Sequence, residues 1–234
     1  MSHLKHIEFT ALILAATSGA RLYPLTTTKN DIHSSDTSEA ISTYMPKHML
    51  PIAGRPILHH LVDQCLSSGL SYIIIAIGAE DDITQDSLVS DLGCTLLQSS
   101  NSTTTISKLK YHNMDVVMVR MQSDCSGSAD AFRFIDKQGI VPVNSHLIVL
   151  PSDLVLYGHL SSNELNGTNA LSSLVDMHRR EFRDSKEKGR MPLAMSMILS
   201  DVGEEDENGV PLKESAKVRG GGRQDCIYMI SFIH

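Results

Sequence analysis

Residues 9–26 read FTALILAATSGARLYPLT, and how that stretch is divided decides the fold. Its first eight letters form a continuous apolar run, too short to cross a bilayer, which takes about 20 apolar residues, and of the length of a strand buried on both faces. Small and turn-forming residues follow at once. The same device returns at YIIIAIG (72–78), DVVMVRM (115–121) and HLIVLPSD (146–153). Between these runs lie segments with helical spacing, RPILHHLVDQCLSSG (55–69) and SADAFRFIDKQG (128–139). Buried strands alternating with amphipathic helices are the pattern of βαβ units, and predict a three-layer α/β domain around a mostly parallel sheet. In the first helix Ile57, Leu61 and Cys65 make one stripe, Leu58 and Val62 widen it, Pro56 suits the first turn, and Gly69 offers a stop.

Lys5, the apolar run and the small residues around Gly19 imitate a secretory signal, yet Glu8 abuts the run, and a buried first strand accounts for the same letters. A cytosolic chain is the expectation. Cys65, Cys94, Cys125 and Cys226 lack the spacing of a zinc site or disulfide framework and read as reduced, structural thiols. His59 and His60 are adjacent, so in a helix they face different ways. The chain's 234 residues are 41% apolar and carry a formal net charge of −7. That balance gives no overall basic field, so no direct nucleic-acid partner is expected, and no membrane span either.

Two polar stretches, TTTKNDIHSSDTSEAIST (26–43) and QSSNSTTTISKLK (98–110), interrupt the pattern and are expected as surface insertions, near 27–45 and 98–112. Residues 1–200 read as one domain. Residues 201–234 read as an acidic and glycine-rich tail ending in the apolar CIYMISFIH, a strand without an evident partner, and an incomplete end is expected there.

The chemistry gathers where strands end. In an open parallel sheet ligands collect at the carboxyl edge, and residues 17–22 turn there after the first strand. Gly19 gives one permissive backbone position at which N–H groups can approach phosphate oxygens, and Arg21 adds a forked cationic donor. Thr17 brings a Cβ into that turn. Lys47, in MPKHMLPIAGRP, sits between prolines that restrict the local chain and can aim an ammonium at phosphate; its bland reading is a surface charge. Asp153 directly follows the HLIVLP run, a place for a carboxylate holding Mg²⁺ beside phosphates, or for an ordinary turn-capping aspartate. Ser128 or Asp130 would cap the helix beginning near Ala129, and the segment would border a base or sugar pocket.

The opening turn, PKHMLPIAGRPIL (46–58), GSADA (127–131) and LPSD (150–153), in that order, resemble the sugar-phosphate nucleotidyltransferase family over about residues 7–200. The resemblance implies a Rossmann-like domain that, in active members, transfers a nucleotidyl group from a nucleoside triphosphate to a sugar phosphate with Mg²⁺. It assigns nucleotide binding to Gly19, Arg21, Lys47 and Asp130, metal binding to Asp153, and, in a working enzyme, catalysis to Arg21, Lys47 and Asp153. The family has glycine where this chain has Thr17 and threonine where it has Ala20, and a second metal-binding aspartate has no counterpart here, Asp225 lying in an unlike context. Within the superfamily, GSADAFRFI, LIVLPSDLVL and SSLVDMHRREF (172–182) are similar to the gamma-subunit family of the guanine-nucleotide exchange factor acting on eukaryotic translation initiation factor two. That likeness implies a non-catalytic module that needs no cofactor and assembles with sister subunits, especially an epsilon-like catalytic one, reaching initiation factor two through the complex; it also implies a β-helix after this domain, absent from this sequence. The other expectation is a guanylyl- or adenylyl-transferring enzyme requiring Mg²⁺ and a nucleoside triphosphate.

Overall fold

The computed structural model describes residues 7–16, 22, 25–26, 45–79, 81–99, 105–122, 125, 127–154 and 170–189, together with the backbone of 195–199 and 226–230. Strands are β1 (Phe9–Ala15), β2 (Pro51–Ile52), β3 (Arg55–Pro56), β4 (Tyr72–Ile77), β5 (Thr95–Gln98), β6 (Ile106–Tyr111), β7 (Met114–Arg120), β8 (His146–Pro151), β9 (Met195–Leu199) and β10 (Cys226–Ile230). Helices are α1 (Ile57–Ser67), α2 (Ile83–Ser90), α3 (Ser128–Lys137) and α4 (Ala170–Glu187), and a 3-10 turn covers Lys47–Met49.

Eight strands form one sheet in the order β5-β6-β7-β4-β1-β8-β10-β9. The centre, β7-β4-β1-β8, is parallel, and both flanks are antiparallel. Alternate residues of the central strands point to opposite faces. On one face Ala11, Ile13, Ile73, Ile75, Val116 and Ile148 pack with Leu58, Leu61 and Cys65 of α1, Leu88 of α2, and Leu171 and Leu174 of α4. On the other, Leu12, Ile74, Val117, Val119 and Val149 pack with Ala131 and Ile135 of α3. Helices on both faces of a sheet with a parallel centre make the three-layer α/β architecture that the alternating runs predict. All five residues of the α1 stripe are buried, and Gly69 follows with φ +77°, where a side chain would be strained. Burial on this face pushes the Cys65 thiol up to about 12.

Three expectations need correction. The polar stretch at 98–112 contains the whole of β6. Six residues there pair in register with Met114–Val119 across a two-residue turn in which His112 takes φ 51°. Backbone pairing to an apolar partner orders it, with Ser107 and Leu109 buried and the Ser107 hydroxyl bonded to Gln85. The capping expectation for Ser128 and Asp130 fails: Gly127 holds the N-cap position with no side-chain cap, Ser128 is already helical, and Asp130 pairs with Arg133 at 3.0 Å. Finally, the sheet takes in a strand from the segment read as a tail, because β10 pairs with β8 on one side and β9 on the other. The remaining insertion, residues 27–44, lies outside the described residues.

At the amino edge of the sheet the starts of β1 and β8 are fastened to α4. The His146 ring lies 5.1 Å from His178 and 4.7 Å from Phe182, between centroids, and Phe9 lies 5.2 Å from His146. Arg179 stacks 5.1 Å over Phe9 and forks onto Glu8 at 2.9 and 3.0 Å.

Candidate functional site

Parallel strands end on one edge, so the segments following β7, β4, β1 and β8 all emerge together. The segments after β7, β4 and β8 carry, in that order, Asp130, Asp81 and Asp153. Two expected site residues meet there. The Lys47 ammonium lies 3.1 Å from Oδ2 of Asp153, with side-chain exposures of 6% and 16%. An ammonium this deeply buried requires a partner, because an isolated charge is costly to take out of water; the carboxylate at the end of β8 supplies it.

The chain reaches this geometry through local backbone constraints. Pro46 opens the 3-10 turn in an extended conformation, and the N–H of Leu50 donates to the Lys47 carbonyl. Pro51 then begins the β2–β3 hairpin, whose two turn residues, Ala53 and Gly54, have φ 51° and 77°, the left-handed pair that a two-residue hairpin needs. The N–H of Ile57, first in α1, donates to the Leu50 carbonyl. The turn is therefore bonded to the helix that packs under the sheet.

The adjacent His48 is fully buried and faces another partner. Its Nε2 lies 2.7 Å from Thr84 Oγ1 and 3.1 Å from Asp81 Oδ2. The Thr84 hydroxyl donates to Asp81 Oδ2 at 2.7 Å, and the Thr84 N–H donates to Oδ1 at 3.1 Å. With the hydroxyl proton committed, both groups can only accept from His48, so Nε2 carries a proton. Asp81 also satisfies one of the unpaired N–H groups of the first turn of α2. Burial opposes charge on Asp81, but the hydrogen bonds and charge supplied by His48, with those from Thr84, outweigh it and hold the carboxyl below its usual range. Sequence reading missed this network. Its members are 33 and 36 residues apart in ordinary letters, and the only signal was a histidine in a proline-flanked apolar segment.

Gly19 and Arg21, like Thr17 and Ala20, lie outside the described residues. Asp130 stands two strands from β1 on the same edge, bordering a hollow of about 210 Å³ with Gln122, Cys125, Arg133 and Phe134. His59 and His60 face apart, toward Ser87 and the Ile52 carbonyl.

No protein-family model matches the chain. It is 27% identical over 141 residues to a Bacillus subtilis (strain 168) protein named as a UTP–glucose-1-phosphate uridylyltransferase, a match covering 60% of this chain and 48% of that one. The chain thus spans about half the length of the curated relative it matches. Among solved structures it is similar to a UDP-glucose pyrophosphorylase determined with UDP-glucose, with TM-score 0.56, 15% identity, and coverage of 96% of this chain and 76% of that one. A glucose-1-phosphate thymidylyltransferase-like protein from Bacillus anthracis, determined with sucrose, superposes with TM-score 0.53 at 17% identity, over 95% of this chain and 71% of that one. The fold is that of the sugar-phosphate nucleotidyltransferases.

Among the described residues no three His, Cys, Asp or Glu side chains gather to hold a metal ion. Mg²⁺ commonly takes only one or two carboxylates and draws its other ligands from water and phosphate oxygens, so a single carboxylate is compatible with it. Asp153 is the residue that would hold it.

Proposed function

We propose that the carboxyl edge between β4 and β8 binds the phosphates of a nucleoside triphosphate and that the chain transfers its nucleotidyl group to a sugar phosphate. The observation that carries this reading is the Lys47–Asp153 pair, one cation and one carboxylate sequestered together at the end of β8, beside the end of β1. Phosphoryl chemistry of this kind asks little covalent work of a protein and much positioning and charge balance. An oxygen of the sugar phosphate attacks the α-phosphorus of the nucleotide, the bond from that phosphorus to the bridging oxygen of the β-phosphate breaks, and pyrophosphate leaves. Lys47 offsets charge on the phosphates, Arg21 in the opening turn adds a second cation beside Gly19, and Asp130 borders the hollow where the remainder of the nucleotide lies. Mg²⁺, when bound through Asp153, supplies further charge neutralisation.

The test incubates the full chain with Mg²⁺, each common nucleoside triphosphate and a panel of sugar 1-phosphates, and measures pyrophosphate. Release that falls at least about 100-fold in Lys47→Met and Asp153→Asn is expected, since each removes a group acting on the transferring phosphates. No release across the panel overturns the reading.

One observation favours a second reading. Thr17 and Ala20 stand where the resemblance places a glycine and a hydroxyl, which suits a phosphate loop relieved of catalytic duty. In that case the chain is a non-catalytic gamma-like component of the exchange factor for initiation factor two, working in the cytosol with an epsilon-like subunit. Co-expression with that subunit and affinity capture distinguish it: stable co-purification without pyrophosphate release supports this reading, and absence of any complex removes it.

A further inference from the structure

The Lys47–Met49 turn is clamped from two sides. Successive residues of a 3-10 turn project about 120° apart, and here Lys47 reaches Asp153 beyond β8 while His48 reaches Asp81 beyond β4. In the sheet β1 lies between β4 and β8. The turn therefore bridges the carboxyl end of β1, where the segment 17–21 departs, and is bonded to both flanking loops.

The clamp on the β4 side is the stiffer one. His48 is wholly buried, and so are its partners Asp81 and Thr84. Thr84 belongs to α2, whose first turn is itself tied to Asp81 by the backbone bond from Thr84. His48 cannot shift without taking its buried N–H away from Thr84 Oγ1 and Asp81 Oδ2, the latter keeping only the Thr84 hydroxyl. By contrast the Lys47 side chain is long and unbranched, with several rotatable bonds, and nothing intrinsic to it selects one direction. Its direction is inherited from the backbone that His48 fixes.

We propose that His48, held by Asp81 and Thr84, is a positioning residue that aims the Lys47 ammonium at Asp153 and so at the anion the site receives. The second part rests on the reading of the edge as a triphosphate site; the first does not. Polar burial beside a proline-limited turn is costly if its purpose is stability alone, since an apolar side chain in the same space would need no partner. The His48 ring also retains a buried Nδ1 with no hydrogen-bond partner among the described residues, so the ring is held through Nε2.

The experiment measures the acetylation rate of each lysine in the intact folded chain by brief exposure to acetic anhydride and mass spectrometry. In the parent protein Lys47 is expected to be protected relative to the exposed Lys188. In His48→Phe, which deletes the Nε2 donor, and in Asp81→Asn, Lys47 labelling is expected to rise about 10-fold while Lys188 stays within about two-fold. His48→Gln, which restores an N–H donor at the position of Nε2, is expected to return Lys47 to near parental protection; a space-filling role would make Phe the better tolerated of the two. Unchanged Lys47 labelling in folded His48→Phe and Asp81→Asn overturns the proposal, as does Gln failing where Phe succeeds. A parallel titration with Mg²⁺ and a fluorescent GTP analogue separates the two layers. Loss of affinity in His48→Phe that disappears in a Lys47→Met background shows His48 acting through Lys47. If labelling responds as expected while no form of the protein binds the analogue or any other triphosphate, the positioning role stands and the triphosphate reading falls.

Discussion

At the scale of single residues, the site is a problem of buried charge. Lys47 and Asp153 offset each other's charge in a largely buried setting, so removing either is expected to cost more than the pair contributes. Lys47→Met leaves a largely buried carboxylate without its ammonium, and a loss of about 2–3 kcal/mol in unfolding free energy is expected, somewhat below the figure for a fully enclosed pair because Asp153 keeps some solvent contact. The double variant Lys47→Met/Asp153→Asn is expected to recover more than half of that loss. Urea titrations of the three proteins at neutral pH measure it; additive losses would mean that the two residues do not share one interaction. Both were legible in the sequence because each is fixed by a neighbour that can be read locally, Lys47 by its prolines and Asp153 by the strand that ends just before it. His48, Asp81 and Thr84 were not, since hydrogen bonds between separate loops leave no periodic trace.

At the scale of elements, the central strands and α1 and α3 were readable because a continuous apolar run or a stripe records burial directly in the letters. β6 was not, because its order comes from backbone pairing to β7 and its side chains alternate toward solvent. α4 likewise joins the core through a few positions, Leu171, Leu174, Val175 and His178, among many charged ones. Its histidine gives the element a measurable signature. Burial, aided by the proximity of His146, pulls His178 down to about 4 from an ordinary 6.5. Burial likewise lowers His146, against the pull of Glu8. The unfolded chain takes up a proton on His178 near pH 6.5 and the folded chain only near pH 4, so the unfolded state holds more protons between those values. Stability is therefore complete above about pH 6.5 and declines as pH falls toward 4, by on the order of 3 kcal/mol from this residue. His178→Phe keeps a ring against Phe9 and Phe182 and removes the titration. The difference between the parental and variant unfolding free energies should slope across pH 6.5 to 4 and be flat above; a difference independent of pH across that window would show that His178 is not held neutral by the fold.

At the scale of the whole molecule, the functional edge depends on a strand distant in sequence. β8 carries Asp153 just past its end, and its outer side is paired with β10 over Val149, Ile148 and Leu147. That β10 pairs in turn with β9 over five positions. The pattern of apolar runs foretold a late strand but not its place, because antiparallel addition at a sheet edge is set by register and topology rather than by any local residue choice. The consequence is directional. A chain ending at residue 225 keeps every residue of the Lys47, His48 and Asp153 cluster, yet exposes the outer edge of a buried, strongly apolar strand and strands β9 without a partner. Unpaired edges of this kind invite association between chains. The shortened protein is expected to unfold at lower temperature than the full chain by several degrees or more, to elute in part as aggregate in gel filtration, and to lose the protection of Lys47 from acetylation, even though no residue of the site has been altered. Retention of the full-length melting temperature and of Lys47 protection would instead mean that the parallel centre holds the site by itself, and that β10 adds to the sheet without supporting its carboxyl edge.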